Sequence, residues 1–213
     1  MPKLIVSTVG TTLFGISDVM TQEERTLLGR HANDYNPPKV VRDLLDNVAN
    51  DARYQSMSIL KTAEFDTLAL YRKKVQPDLA DWYLPGVRYG FIGTDTFPSK
   101  MVLSVFNRFL DAHYNSVNRC EDIVVRGLQV GSAIGLDTAL RELYHLLDRL
   151  TGPYDREDVL FNISGGFKFV SGWMAAYAVH RGFATMYTFE GSKEMILTEP
   201  QFPGDFPPRL SYI

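Results

Sequence analysis

The sequence predicts an α/β domain of the doubly wound, Rossmann-like kind: a mostly parallel sheet, helices on both faces, and an antiparallel hairpin towards the C-terminal end. Three observations lead there. Strand-length apolar runs alternate with helix-length amphipathic segments along the chain. The early runs lack the polar alternation of a half-exposed strand, as strands buried on both faces require. Late in the chain, Glu190-Gly191-Ser192 separates two short strand-like segments, which is a hairpin signal.

Lys3–Val9 reads as the first buried strand and ends in Gly10-Thr11-Thr12. A polar stretch from Phe14 to Asn36 follows, with a short helix over Thr21–Arg30 whose Glu23 and Glu24 suit the positive end of its dipole. Pro37-Pro38 opens a helix running to about Asp51, with Val40, Val41, Leu44, Leu45 and Val48 on one face. Ser58–Val75 forms the next helix, carrying Leu60, Ala63, Leu68 and Tyr71. Arg88–Ile92 is a second strand, ending in Gly93-Thr94-Asp95, and Pro98–His113 is its helix. Ile123–Val130 is a third strand, and Leu136–Leu150 a helix that stops before Gly152-Pro153. Asp158–Ile163 is a fourth strand followed by a helix over Gly166–Arg181, closed by Gly182. Thr185–Phe189 and Glu194–Thr198 make the hairpin. Residues 1–198 therefore read as one domain, and 199–213, with four prolines, as an irregular arm.

Composition excludes several function classes. With 45% apolar and 22% charged residues the chain is ordinary for a soluble protein. A formal charge of −3 offers no general attraction to duplex nucleic acid or an anionic membrane, so a polyanionic ligand must be held by local donors. The lone Cys120 excludes an internal disulfide and fits the reducing cytoplasm. One cysteine and four scattered histidines give no metal site, and no metal is expected. No apolar run approaches the ~18 residues of a membrane span, and the start is too short for a secretory signal.

Four polar loops leave the carboxyl ends of the buried strands: Gly10-Thr11-Thr12, Thr94-Asp95-Thr96, Gln129-Val130-Gly131-Ser132 and Ser164–Lys168. Ligands of doubly wound folds bind along this edge. Asn162-Ile163-Ser164-Gly165-Gly166-Phe167-Lys168 is the most informative, because two adjacent glycines join a strand directly to a helix start. Glycines let backbone amides approach a ligand, and the helix start adds unpaired N–H groups. Lys168 sits against the local dipole preference, which an anion beside it would explain. The other reading is an ordinary turn capped by Ser164 with a solvated lysine. The first-strand turn divides the same way, between a ligand loop and a plain polar closure. The Walker loop and the Gly-x-Gly-x-x-Gly fingerprint are both absent, so no nicotinamide or flavin cofactor is expected. Neither a Gly-x-Ser-x-Gly elbow nor a metal-spaced histidine pair occurs.

The helix over Gly166–Arg181 has Phe167, Phe169, Val170, Trp173, Met174 and Val179 around nearly its whole circumference. Such a helix is expected to be buried on all sides. One side packs on the sheet, and the other meets either a partner subunit or the rest of the chain. A twofold pairing would bring two Lys168 turns together, a joint site suited to a symmetric, multiply phosphorylated ligand.

The Asn162–Lys168 segment resembles the Asn-x-Thr/Ser-Gly-Gly-x-Lys motif of CARF (CRISPR-associated Rossmann fold) domains. Ser7-Thr8-Val9-Gly10-Thr11-Thr12, the Ala63-Glu64 helix, Thr94-Asp95-Thr96 and Gly127-Leu128-Gln129 match in the expected order over residues 1–198. The likeness is strongest to the sensor domains of type III CRISPR ribonucleases. It implies a homodimer binding one cyclic tetra- or hexa-adenylate across its twofold axis. By position, Thr8, Gly10, Thr11, Thr12 and the turn Asn162, Ser164, Gly165, Gly166, Phe167, Lys168 would hold the ring. Thr94, Asp95 and Gln129 would neighbour adenine or ribose.

Stand-alone members of the family are often ring nucleases, whereas fused members are sensors for an effector domain. Both outcomes stay open for this chain. Cleavage would need no metal: a ribose 2′-hydroxyl attacks the adjacent phosphorus, giving a 2′,3′-cyclic phosphate. Lys168 and the Gly165 and Gly166 amides would stabilise charge, Ser7, Thr11 or Thr12 would orient the hydroxyl, and His31 would act as base. The 14–36 segment starts on the ligand edge. It reads as a lid presenting Arg25, Arg30 and His31, or else as a solvated excursion.

Overall fold

The computed structural model describes residues 1–15, 20–31, 34, 36–50, 56–120, 123–127, 135–189, 192–199 and 210–212. Its strands are β1 (Leu4–Thr8), β2 (Arg88–Thr94), β3 (Asn118–Arg119), β4 (Ile123–Val125), β5 (Val159–Asn162), β6 (Ala184–Thr188), β7 (Met195–Thr198) and β8 (Leu210–Tyr212). Its helices are α1 (Gln22–Arg30), α2 (Lys39–Asn50), α3 (Ala63–Val75), α4 (Phe97–His113), α5 (Leu136–Thr151) and α6 (Lys168–Arg181). The strands form one sheet in the order β3-β2-β1-β5-β6-β7-β8, with β4 also beside β2. All pairings from β3 to β6 are parallel, and β6-β7 and β7-β8 are antiparallel. The doubly wound sheet with its late hairpin is thus present. Among the described residues no helix is long and apolar enough to cross a membrane.

Side-chain alternation along the strands divides the core into two layers. Ile5, Leu160, Tyr89 and Phe91 face one side, against α3 and α4. Leu4, Val6, Val159, Phe161 and Ile92 face the other, against α5 and α6. The first layer centres on Phe65 of α3, whose ring lies 4.8 Å from both Trp82 and Phe106 and 5.8 Å from Phe91. Strand β1 is central and buried at every position. The chain builds outward from it through β2, β3 and β4, then crosses back to place β5 on its other flank. The carboxyl ends of β1 and β5 are therefore the switch point of the winding, where a crevice opens.

Four expectations needed correction. The helix expected over Ser58–Val75 is broken: Met57–Lys61 is a 3-10 turn, and extended Thr62 (φ −67°, ψ 152°) restarts the chain as the first residue before α3. The helix expected from Gly166 starts at Lys168, because Gly166 sits at φ +87°. The third strand is shorter than Ile123–Val130: β4 ends at Val125 ahead of Gly127 at φ +73°, and residues 128–130 lie outside the described residues. The arm is not wholly irregular, since Leu210–Tyr212 pairs with β7, satisfying backbone groups that a bare edge would leave open. Of the two covers expected for the outer side of α6, the described part of this chain does not supply one. Val170, Met174, Tyr177 and Ala178 pack on the sheet, while Trp173 and Val179 remain 41% and 47% exposed.

The capping of α1 follows the sequence closely. Thr21 Oγ1 accepts from Glu24 N, and the Glu24 carboxylate accepts from Thr21 N, closing a reciprocal box. Phe65 supplies the sharpest test of the packing. Phe65→Ala should lower unfolding free energy by about 3–5 kcal/mol, read as a fall in the urea midpoint at unchanged slope. A loss below about 1 kcal/mol would show that the aromatic layer does not depend on it.

Candidate functional site

The site begins where β1 and β5 end. Past β1, Gly10 comes so close to the turn after β5 that a Cβ there would sit 2.6 Å from Gly166 N. A Cβ on Gly165 would lie 2.1 Å from Glu64 Oε1, and one on Gly166 would lie 2.7 Å from Thr8 Cβ. Glycine at these places is a packing requirement, and at Gly166 the positive φ demands it as well. Thr8 Oγ1 donates to the Gly165 carbonyl at 2.5 Å, and Ser171 Oγ donates to the same carbonyl at 2.8 Å. The two turns are thus fastened to each other and to the first turn of α6.

A carboxylate lies beneath them. Glu64, in the first turn of α3, is fully buried; its Oε1 accepts from Gly10 N at 2.7 Å and its Oε2 from Thr12 Oγ1 at 3.3 Å. Burial pushes this carboxyl above the ordinary carboxylate range, against the pull of the Gly10 N–H. Asn162 is also fully buried: its amide donates to the Glu64 carbonyl at 3.0 Å and its Oδ1 accepts from Ser164 N at 3.2 Å. Ser164 Oγ accepts from Thr188 N at 2.9 Å, which ties the turn to β6. The residue capping α6 is Phe167, which has no side-chain hydrogen bond to the helix start. The first N–H groups of α6 therefore receive no side-chain acceptor from their own cap residue.

Above the glycine turn lies a cleft of about 780 Å³. Its floor is Ile163–Gly166, with Thr12 at one end. One wall is α6, through Lys168, Ser171, Gly172 and Ala175. The facing walls are the start of α3, with Lys61, Asp66 and Thr67, and the hairpin, with Tyr187, Thr188, Phe189 and Ser192. Lys168 is exposed and makes no ion pair among the described residues.

The structure gathers some predicted residues here and leaves others apart. Thr12, Ser164, Gly165, Gly166 and Lys168 line the cleft, and Gly10 and half-buried Phe167 adjoin it. Thr8 and Asn162 are buried and engaged in the turn itself. Ser7 is buried with its hydroxyl directed at the Thr8 carbonyl, whereas Thr11 is exposed. Thr94 and Asp95 lie at the end of β2, outside the cleft lining. Thr94 Oγ1 meets Thr96 Oγ1 at 3.0 Å, while Asp95 pairs with Lys100 and accepts from Gly127 N. Gln129 lies outside the described residues. Arg25 and Arg30 are on α1 and His31 follows it, 2.8 Å from Asp34; none of the three lines the cleft.

Sequence reasoning passed over Lys61, Asp66, Tyr187 and Phe189: the last two join the site because β6 lies beside β5, and the first two because α3 packs across the ends of β5 and β6. It placed Glu64 in a matching helix without assigning it a role. A signal was available: Glu64 shares the buried face of α3 with Leu68 and Tyr71, a charged residue at an apolar position.

The profile of the CRISPR-associated protein (Cas_APE2256) family matches residues 60–200, a span that contains α3, the glycine turn, α6 and the hairpin. None of the curated proteins matches the chain. With most of its length inside the family profile and its fold in agreement, the chain belongs to the CRISPR-associated Cas_APE2256 family, a CARF-type family.

Proposed function

We propose that this chain binds a cyclic oligoadenylate across the twofold axis of a homodimer and opens the ring without metal, acting as a ring nuclease of type III CRISPR defence. The observation that carries this reading is the pair of fastened glycine turns at the switch point of the sheet, beside Lys168 at the uncapped start of α6. Backbone amides and one mobile cation are the donors that phosphodiester oxygens require. The net charge of the chain is negative, so this local array is what selects a polyanion.

The dimer part of the proposal draws on α6. Trp173, Ala176 and Val179 form an exposed apolar strip on the side away from the sheet. An apolar strip on a helix that already carries Lys168 suits pairing with a second copy. Two Lys168 turns would then face one symmetric ring.

In the cleavage step a ribose 2′-oxygen attacks the neighbouring phosphorus in line with the departing 5′-oxygen. The P–O5′ bond breaks, a 2′,3′-cyclic phosphate forms, and the proton passes from the 2′-hydroxyl to the leaving oxygen through solvent or a bound hydroxyl. Lys168 and the Gly165–Gly166 amides stabilise the charge that gathers on the phosphoryl oxygens. Thr12, at the end of the cleft, orients the attacking hydroxyl. A second reading, a sensor that retains the ring to regulate an effector, is favoured by one observation: His31, the expected base, is not in the cleft lining.

Purified protein incubated with cyclic tetra- or hexa-adenylate in excess chelator separates the readings. Multiple turnover to linear products with cyclic phosphate ends supports the nuclease, stable retention supports the sensor, and absence of binding to either ring overturns both. Lys168→Ala removes a charged donor and should weaken ring binding or slow opening roughly 10- to 100-fold, from about 1.5–3 kcal/mol for such a hydrogen bond. Trp173→Glu should convert the dimer to monomer in sedimentation and abolish ring binding with it. A variant that stays dimeric would remove α6 from the interface.

A further inference from the structure

Glu64 stands out because no residue of opposite charge is paired with it among the described residues. The carboxylate is fully buried, and its hydrogen-bond donors include the Gly10 amide and the Thr12 hydroxyl. The charged groups nearest along the surrounding elements are Lys61 and Asp66 on the approach to and first turns of α3, and Lys168 at the start of α6. All three line the cleft, and no charged group figures among the causes that shift the Glu64 carboxyl. Among the described residues, the β1 turn presents the Gly10 amide and the Thr12 hydroxyl, and the β6 residues of the cleft, Tyr187 and Thr188, add no basic group. A buried, uncompensated carboxylate costs stability wherever it is ionised, so its place directly under two ligand turns calls for an explanation.

The geometry supplies one. Glu64 touches both turns at once, through Gly10 N on one side and the Cα of Gly165 on the other, and its backbone carbonyl receives Asn162 from the base of the same turn. It therefore sets the spacing between them. An anion seated on those turns lies over the carboxylate with only backbone between, where two negative charges repel through a medium of low dielectric constant.

We propose that Glu64 is a positioning residue that joins the two turns and takes up a proton when an anion binds over them. The inference rests on the glycine turn being an anion site, whatever anion fills it. Free protein keeps the carboxyl in the ionised or neutral state that pH dictates, with burial already favouring the neutral form. A bound anion favours that form further. Affinity for an anion of constant charge then rises as pH falls through the titration of Glu64, by at most tenfold per pH unit for one proton.

The linkage has a defined sign in the free protein as well. Because the folded carboxyl titrates above its unfolded value, the fold is favoured below the unfolded pKa. That advantage is lost as pH rises towards the folded value.

The test uses two probes whose charge does not change between pH 5 and 8: sulfate, and cyclic tetra-adenylate. Binding is measured across that range for wild-type, Glu64→Gln and Glu64→Ala, with the urea midpoint of each ligand-free protein followed in parallel. Glu64→Gln keeps the shape and the bond from Gly10 N, while the Thr12 bond reverses, the amide nitrogen donating to the hydroxyl. It should bind tighter than wild-type at pH 8, with the pH slope reduced by up to tenfold per unit, and its free fold should be more stable there. Glu64→Ala should bind weakly at every pH. A glutamine variant with wild-type affinity and slope would leave Glu64 a purely structural residue and overturn the proposal. If sulfate shows the linkage while the ring does not bind, the ring reading fails and this one stands. If neither probe binds, both fail.

Discussion

The contact on which this molecule turns is a backbone meeting a backbone. Gly10 and Gly166 approach so closely that no side chain fits between the ends of β1 and β5. Thr8 and Ser171 converge on the Gly165 carbonyl from one side, and Glu64 holds the Gly10 amide from the other. Each of these groups comes from a different element, so the turn geometry is a product of the whole winding. Moving β1 by one residue relative to β5 would exchange its two faces and undo both core layers at once.

The two layers differ in kind. On the α3 and α4 side, aromatic rings interlock around Phe65, and large rigid groups leave few alternative packings. On the α5 and α6 side, the contacts are mainly aliphatic with Tyr177 at their centre, its hydroxyl donating to Asp148 and meeting Thr151. The cleft joins these halves, taking Glu64's helix from one and Lys168's helix from the other.

Much of this was legible before any coordinates. Strand and helix alternation, the parallel centre and the hairpin all follow from local pattern, because buried strands and amphipathic helices write their periods directly into the chain. The strand-to-helix turn at Asn162–Lys168 was legible too, since adjacent glycines mark a place where the backbone turns sharply or is closely approached. What the pattern could not convey depends on distance through the fold. Nothing around Tyr187 or Phe189 says that β6 will border the cleft; that follows from strand order alone. The break at Thr62 was invisible because its neighbours favour a helix, and only tertiary burial of Glu64 explains where the helix restarts. The polar stretch after β1 could be read as a lid or as a solvated excursion, and its pattern gave no sign that Leu28 of α1 and Met20 beside it would be buried in the α3 and α4 layer.

The outer neighbour of β2 is paired in two stretches, Tyr89 with Arg119 and then Ile92 with Ile123, so the edge takes one residue more than β2 between them. Such a slip interrupts the regular row of donors and acceptors that a free sheet margin would offer to a foreign strand. At the opposite margin the outer strand is β8, whose described part is only three residues long, too short to offer a long open row. The sheet is therefore a poor template for growth in its own plane.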